Sequence, residues 1–286
     1  MNAAPSQTAA SSLGASPLKA VVYGAAVGDA LGVPYEFLAR DTFECTDMAS
    51  GGAHQMPKGT FSDDTSMLLA TCDSIRACRS IDVDDMRERF RAWLYEGAYT
   101  PDGVVFDVGN TTRIALDQGV GGTDEYSNGN GSLMRIAPLA FTHATEKDIR
   151  QVSAITHGHE ISQVACVVFV GILREALAGE ELKTAIGRHI PEDPHFAFLE
   201  TVASDPRDKV GSSGYVLDTL QAALWCALHA EGYRECVLEA VNLGSDSDTT
   251  ACVAGALAGA LWGYEAIPAR WIRELRGKEV IEECLF

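Results

Sequence analysis

The sequence has little positive charge and no long apolar run. Lysine and arginine together number 22 against 40 aspartate and glutamate residues, which gives a formal net charge of −18. A chain this acidic repels nucleic acid and anionic membrane surfaces, so we expect neither as a partner. No uninterrupted apolar run reaches about 18 residues, the length that crosses a bilayer, so we also expect no membrane span.

Other missing features indicate the cellular compartment and argue against one class of enzyme. None of the eight cysteines belongs to a C-x-x-C pair, and most lie inside apolar runs, which favours buried thiols in a reducing cytoplasm. The start of the chain lacks the basic residues and apolar block of a signal peptide. We therefore predict a disordered tail over residues 1–16 and one domain over residues 17–286. The P-loop signature is also missing, which argues against a P-loop nucleotidase.

Helical patterns dominate the chain, and no ladder of alternating apolar and polar residues indicates a sheet. We predict an all-α fold. Short segments rich in glycine and asparagine separate the helices, and such loops are either simple turns or places where the backbone contacts a ligand. The predicted helices span residues 17–32, 64–78, 82–97, 110–118, 132–142, 146–156, 160–178, 181–189, 213–230, 232–242, 248–262 and 268–276.

Two acidic motifs stand directly before apolar runs and contain no lysine or arginine. The motif "SDDT" holds Asp63 and Asp64, and the motif "SDSDT" holds Asp246 and Asp248. Each falls at the predicted start of a helix, where free N–H groups and the helix dipole favour a negative charge by about 0.3–1 kcal/mol. A helix cap needs only one side chain, whereas each motif offers two carboxylates beside a hydroxyl.

A bound cation would explain the doubled carboxylates, because adjacent carboxylates repel one another and are costly to bury unpaired. The ligand atoms on offer are all oxygens, from carboxylates, the hydroxyls of Ser62 and Thr249, and water. Such a set suits Mg²⁺ or Mn²⁺ and not zinc. Glu36 follows Pro34 beyond the predicted end of the first helix, where it is free to point into the same site. Simple helix capping and a solvated Glu36 remain the alternatives at this point.

Seven segments together resemble the ADP-ribosylglycohydrolase family, and most closely its bacterial branch of dinitrogenase reductase-activating glycohydrolases. In order they are "YGAAVGDALGVPYEF", "GTFSDDTSM", "DVGNTT", "SNGNGSLMRIAPLA", "THGHE", "GSSGYVLDTLQAALW" and "NLGSDSDTTACVAGALAGALWG". The resemblance implies a single-domain orthogonal bundle of helices around a cleft that holds two divalent cations, Mg²⁺ or Mn²⁺. It implies six metal ligands, with Ser62 standing where many relatives have threonine. They are Ser62, Asp63, Asp64, Asp246, Asp248 and Thr249.

The resemblance also implies roles around the cations. The catalytic carboxylates would be Asp107, Glu36, Asp63 and Asp248. Asp107 and Asn110 match residues that contact the ribose, and the "NGNGS" loop matches one that cradles a diphosphate, which backbone N–H groups can do. His157 and Tyr215 match positions near the ADP moiety, although a lone histidine at a helix start is often structural. The implied substrate-binding residues are Asn110, Asn128, Gly129, Asn130, Gly131, Ser132, His157 and Tyr215.

The implied reaction is a metal-dependent hydrolysis that removes ADP-ribose from the guanidinium of an arginine side chain. The partner would be an ADP-ribosylated protein or small molecule, the product ADP-ribose, and the chain a monomer. One alternative is the same hydrolysis on another linkage, such as ADP-ribosyl-serine, O-acetyl-ADP-ribose or a small molecule. Another is a non-catalytic ADP-ribose-binding protein of the same fold, which the presence of all four motif aspartates disfavours. A dinuclear phosphohydrolase is disfavoured because neither motif contains a histidine.

Overall fold

A computed structural model of the protein describes residues 15–286. Within them are twelve α-helices, seven 3₁₀ helices and three isolated β-bridges, and no strand, which confirms the all-α prediction. The predicted disordered tail lies outside the described residues except at its last two positions, and it stays a prediction. At the second of these, the Ser16 hydroxyl caps the first helix by accepting a hydrogen bond from the Lys19 amide over 3.2 Å.

The α-helices follow the predicted order, and most agree with the predicted bounds to within a few residues. They are α1 (Pro17–Gly32), α2 (Asp63–Cys78), α3 (Val83–Glu96), α4 (Asn110–Gln118), α5 (Glu146–Ser153), α6 (Glu160–Leu177), α7 (Leu182–Arg188), α8 (Val216–His229), α9 (Tyr233–Asn242), α10 (Ser247–Trp262), α11 (Ala269–Glu274) and α12 (Lys278–Cys284).

Two segments differ from the prediction. The helix predicted over residues 132–142 is instead a pair of 3₁₀ helices, Asn130–Ser132 and Ala137–Phe141. Pro138 has no N–H to donate and disfavours the α conformation at the residue before it, so an α-helix cannot run through this segment. Helix α12 was not predicted. It is too short to be stable alone and packs against α2, so tertiary contact stabilises it.

Helices α1 and α10 pack against each other in antiparallel directions at the centre of the bundle. A Cβ added to Gly24 would lie 2.3 Å from the carbonyl oxygen of Gly255, and one added to Gly259 would lie 2.2 Å from the oxygen of Ala20. Gly255 and Gly259 lie in the apolar run that follows the second acidic motif, and their lack of a side chain allows the backbone of α1 to approach this closely. At the far end, Gly32 meets the backbone of Asp248, so this packing places the end of α1 at the start of α10.

The segment after α1 is also fixed to the segment before α10 by a pair of backbone hydrogen bonds. The Phe37 amide donates to the Ser245 carbonyl over 2.7 Å, and the Ser245 amide donates to the Leu38 carbonyl over 2.8 Å. Phe37 and Ser245 both have positive φ angles, of 67° and 64°, which side-chain-bearing residues adopt at a cost. This pair of hydrogen bonds holds Glu36 close to the second acidic motif.

Two further features bear on earlier expectations. No helix between residues 15 and 286 has both the length and the hydropathy that a bilayer crossing requires. All eight cysteines lie in this part of the chain; none forms a disulfide bond, and all except Cys78 are buried. The expectation that they are small core residues therefore agrees with their placement.

Candidate active site

The two acidic motifs meet where the first turns of α2 and α10 approach the end of α1. Asp63 and Asp64 are the first two residues of α2, Asp246 is the N-cap of α10, and Asp248 lies in its first turn. The Thr249 hydroxyl lies 3.3 Å from Asp64 Oδ2, which joins the two motifs directly. The structure therefore brings together all the residues that the resemblance proposes as metal ligands, including Ser62, whose hydroxyl donates to Asp64 Oδ2 over 2.9 Å.

Asp29, in α1, binds the segment that carries the first acidic motif, and we predicted no role for it from the sequence. It is fully buried in α1 and accepts hydrogen bonds from the Ser62 amide over 2.9 Å and from the Thr65 amide over 3.0 Å. Burial raises its pKa to about 7 although these bonds oppose the rise. Its oxygens lie within 4.8 Å of those of Asp64 and Asp248. A single carboxylate inside an otherwise apolar helix was the only sequence signal for it.

The carboxylates of the motifs are buried without cationic partners. Burial raises the pKa of Asp63, Asp64 and Asp248 well above the usual range, and their negative neighbours raise it further. Among the described residues, the only ion-pair partner of any carboxylate at the site is His54, which contacts other members. Asp64 Oδ1 and Asp248 Oδ2 are buried with no hydrogen-bond partner at all. Unsatisfied carboxylate oxygens that converge in this way fit a divalent cation with oxygen ligands.

Glu36, His54 and Asp107 form a second cluster at the same cleft. His54 Nε2 is hydrogen-bonded to Glu36 Oε2 and lies 3.8 Å from Asp107 Oδ1. Burial, and then the charge of Asp107, raise the pKa of Glu36 to about 9, and burial also raises that of Asp107. The rings of Phe37 and Phe106 flank the imidazole at centroid distances of 5.9 and 5.1 Å. Nothing in the sequence around His54 pointed to it, because no acidic or metal-binding residue lies beside it in the chain.

A cleft of about 210 Å³ lies between these carboxylates and the "NGNGS" segment, residues 128–132, which we call the glycine loop. A larger pocket, of about 660 Å³, opens at the far end of α2 around Arg79 and Phe286, but no cluster of acidic groups lines it. We place the site at the smaller cleft, because the unpaired carboxylates converge there. Ten of the predicted residues line this cleft: Glu36, Asp63, Asp107, Asn110, Gly129, Asn130, Gly131, His157, Asp246 and Thr249.

The glycine loop is anchored at its ends and faces the cleft at its middle. Asn128 is buried and its carbonyl accepts from the Val216 amide over 3.0 Å, while the Ser132 hydroxyl accepts from Ser153 over 3.0 Å inside the core. Neither residue lines the cleft, so both act through the position of the loop. The backbone amide of Asn130 donates to the Gly214 carbonyl over 3.0 Å and is therefore not free to bind a phosphate.

The remaining predicted residues lie around this loop. The Asn130 side-chain amide donates to Asp246 Oδ2 over 2.9 Å and to the Thr219 hydroxyl over 2.8 Å, which ties the loop to the second acidic motif. Tyr215 forms a β-bridge with Gly129 and leaves 36% of its surface exposed beside the loop. Its ring does not line the cleft itself, but it stands next to the segment that does.

Comparison with known proteins identifies this arrangement. Residues 15–285 match the sequence model of the ADP-ribosylglycohydrolase family. The ADP-ribosylarginine hydrolase Tri1 of Serratia proteamaculans (strain 568) is 34% identical over 278 residues, which cover 92% of this chain and 76% of that protein. The ADP-ribosyl-dinitrogen reductase glycohydrolase of Rhodospirillum rubrum is 32% identical over 272 residues, 88% of this chain and 87% of that protein. A solved structure described as an ADP-ribosylglycohydrolase-related protein complex superposes with a TM-score of 0.81 at 35% identity, covering 94% of this chain and 95% of that one.

Proposed function

The chain belongs to the ADP-ribosylglycohydrolase family and is a glycohydrolase, and on that premise we propose that it removes ADP-ribose from arginine side chains with the help of divalent cations. The observation that carries the proposal is the convergence of the "SDDT" and "SDSDT" motifs beside a cleft whose other wall is a glycine loop. Two relatives whose matches cover about nine tenths of this chain are named an ADP-ribosylarginine hydrolase and an ADP-ribosyl-dinitrogen reductase glycohydrolase.

The acidic motifs would hold two divalent cations, Mg²⁺ or Mn²⁺. The support for this is chemical: oxygen atoms only, no cationic side chain between them, and buried oxygens of Asp64 and Asp248 without partners. When bound, such cations acidify a water and fix the ribose hydroxyls of the substrate. The residues that would hold them are Ser62, Asp63, Asp64, Asp246, Asp248 and Thr249.

Glu36 and Asp107 are the residues we assign to proton transfer. In the hydrolysis a water oxygen bonds to the anomeric carbon, the bond from that carbon to the arginine nitrogen breaks, and the nitrogen gains a proton. Burial and the charge of Asp107 raise the pKa of Glu36, which favours the protonated carboxyl that a proton donor needs. Asp107 is close enough to share His54 with it and can take the proton from water. The Asp107 carboxylate also favours the positive charge of an oxocarbenium-like transition state.

Three features support the choice of arginine as the linkage. The leaving group is a planar guanidinium, which carboxylates bind in a fork and aromatic rings bind face to face. Asp107 supplies a carboxylate at the cleft, the Glu36 carboxyl lies beside it, and Phe37 and Phe106 supply rings next to them. A serine linkage releases a neutral hydroxyl, which gains less from an acidic wall. The net charge of −18 favours a cationic target as well.

The other end of the ligand would lie on the glycine loop. Gly129 and Gly131 leave room for a diphosphate beside His157, and Tyr215 stands where its ring can stack on adenine. We expect the protein to act in the cytoplasm on an ADP-ribosylated protein, as a monomer.

The proposal is tested by incubating an arginine-ADP-ribosylated peptide with the purified protein and Mn²⁺, and detecting the products by mass spectrometry. Free ADP-ribose together with unmodified peptide is the expected result. Intact substrate after incubation with folded protein and cation would refute the activity, and cleavage at the diphosphate would point to a different hydrolase.

A further inference from the structure

Arg135 is a fully buried cation directly behind the cleft, and within the described residues it has no carboxylate partner. Its guanidinium donates to the Val152 carbonyl over 3.2 Å and to the Thr156 hydroxyl over 2.9 Å, and it lies 4.5 Å from the ring centroid of Phe90. Burial lowers its pKa to about 10, so it still carries its charge at neutral pH. A buried charge without a counter-ion is costly, so its position calls for a function.

The Thr156 hydroxyl connects this cation to His157. Thr156 Oγ1 lies 2.9 Å from His157 Nδ1, and both residues are buried. An arginine can only donate hydrogen bonds, so the hydroxyl must be the acceptor toward Arg135. Its own proton then points to the one remaining partner, the ring nitrogen Nδ1. Nδ1 therefore accepts, and the proton of the neutral imidazole lies on Nε2.

The opposite tautomer would leave the network incomplete. With the proton on Nδ1, both the guanidinium and the imidazole would donate to Thr156 Oγ1, and the hydroxyl proton would have no acceptor among its neighbours. A buried donor without a partner costs about 1–3 kcal/mol. The charged imidazolium is also disfavoured, because burial and then the charge of Arg135 lower the pKa of His157 to about 3.

The edge of the imidazole that bears Nε2 lies against the glycine loop. A Cβ on Gly129 would lie 3.3 Å from His157 Nε2, and one on Gly131 would lie 2.8 Å from Cε1. His157 lines the cleft, and Nε2 has no hydrogen-bond partner within the described residues. A donor with a free proton therefore faces the part of the cleft that is walled by the loop.

We propose that Arg135, acting through the Thr156 hydroxyl, locks His157 as the neutral Nε2–H tautomer, so that Nε2–H donates to the diphosphate of the ligand. This inference rests on the proposed function for the identity of the ligand. A lone pair on Nε2 would repel phosphate oxygens, whereas an N–H group donates a hydrogen bond to them. Because the imidazole is neutral, this hydrogen bond does not depend on protonation of the ring. Arg135 and Thr156 are positioning residues.

The tautomer can be read directly from the ¹⁵N chemical shifts and two-bond couplings of His157, with the resonances assigned by comparison with His157→Asn. The resting protein should show Nε2 as the protonated nitrogen. Thr156→Val keeps the side-chain shape and removes the hydroxyl, and it should shift His157 toward the Nδ1–H form. Thr156→Ser keeps the hydroxyl and should retain the Nε2–H form. A wild-type Nδ1–H tautomer, or an unchanged tautomer in Thr156→Val, would overturn the inference.

Binding of ADP-ribose, measured by calorimetry with Mn²⁺ present, tests the consequence for the ligand. Thr156→Val should weaken binding by roughly tenfold to a hundredfold, as expected for a lost hydrogen bond to a charged group, and Thr156→Ser should restore it. Equal affinity in Thr156→Val and wild type would overturn the role in binding. Failure of this inference and failure of the proposed function can be distinguished. A wild-type protein that does not bind ADP-ribose refutes the proposed function, and the spectrum still reports the tautomer of His157. Should Thr156→Val fail to fold, the wild-type spectrum and Thr156→Ser still decide.

Discussion

The Asn130 side-chain amide donates to Asp246 Oδ2 over 2.9 Å and thereby connects the glycine loop to the second acidic motif. The two halves of the cleft, one proposed to bind the diphosphate and one proposed to bind the cations, are therefore not independent. The same amide also reaches the Thr219 hydroxyl in the core, so its orientation is fixed from both sides.

Removal of this link should affect both kinds of ligand. We expect Asn130→Ala to weaken Mn²⁺ binding and ADP-ribose binding together, each by roughly tenfold, because a hydrogen bond to a charged group is lost and the loop loses its anchor. Calorimetric titrations with Mn²⁺ and with ADP-ribose measure the two separately. Thr219→Val removes only the neutral partner and should leave Mn²⁺ binding nearly unchanged. Full cation affinity in Asn130→Ala would show that the two halves are uncoupled.

Asp248 offers a test in which stability and activity change in opposite directions. Its Oδ2 is buried without a partner, so Asp248→Asn should make the chelated protein more stable, by about 2–4 °C in Tm for each kcal/mol regained. The same change should abolish hydrolysis and remove most of the stabilisation that Mn²⁺ gives. Thermal unfolding with EDTA and with Mn²⁺ measures this, and Asp208→Asn at an exposed position serves as the control. An active Asp248→Asn variant would rule out the assigned role.

The buried carboxylates predict an unusual pH dependence for the metal-free protein. Folding raises the pKa of Asp29 from 3.8 to about 7 and that of Glu36 from 4.5 to about 9. Over this window the folded chain binds more protons than the unfolded chain, so stability falls as the pH rises from about 4 towards about 9.

In EDTA, the protein should therefore unfold at a lower temperature at about pH 8 than at about pH 6. Added Mn²⁺ should reduce or reverse the difference, because cations bind the ionised carboxylates and bind them better as the pH rises. Glu36→Gln should flatten the profile of the chelated protein. A Tm in EDTA that increases from about pH 6 to about pH 8 would contradict the assignment of buried, unpaired carboxyls.

The contact between α1 and α10 predicts a sharp difference between two glycines. A Cβ on Gly255 would lie 2.2 Å from the carbonyl oxygen of Gly24, so Gly255→Ala should destabilise the protein by about 1–3 kcal/mol. Gly187 lies in α7 with open space around it, and Gly187→Ala should instead stabilise the protein by about 0.5–1 kcal/mol. Urea unfolding measures both. Equal stability of the two variants would mean that the helices do not approach as closely as described.

The sequence was most informative where chemistry and local structure coincide. The doubled aspartates predicted both the helix starts and the meeting of the two motifs, since a carboxylate pair with a hydroxyl exceeds what a cap needs. The glycines of α10 indicate a close helix contact in the same way, because glycine within a helix has few roles other than to admit a neighbouring backbone.

Features that depend on contacts distant in sequence could not be predicted. His54 becomes part of the site only because its loop folds over Glu36 and Asp107. Asp29 looked like one polar residue in an apolar helix until Ser62 and Thr65 were seen to bind it. The backbone amide of Asn130 was expected to bind a phosphate, but it donates a hydrogen bond to the Gly214 carbonyl instead.

The most direct test of the proposed function is a side-by-side assay of ADP-ribose release from arginine-linked and serine-linked peptides, each with Mn²⁺ and with EDTA. Release is measured by mass spectrometry under initial-rate conditions. We expect release from the arginine linkage well ahead of the serine linkage in Mn²⁺, and none in EDTA. Faster release from the serine linkage, or undiminished release from arginine after complete chelation, would contradict the proposed function.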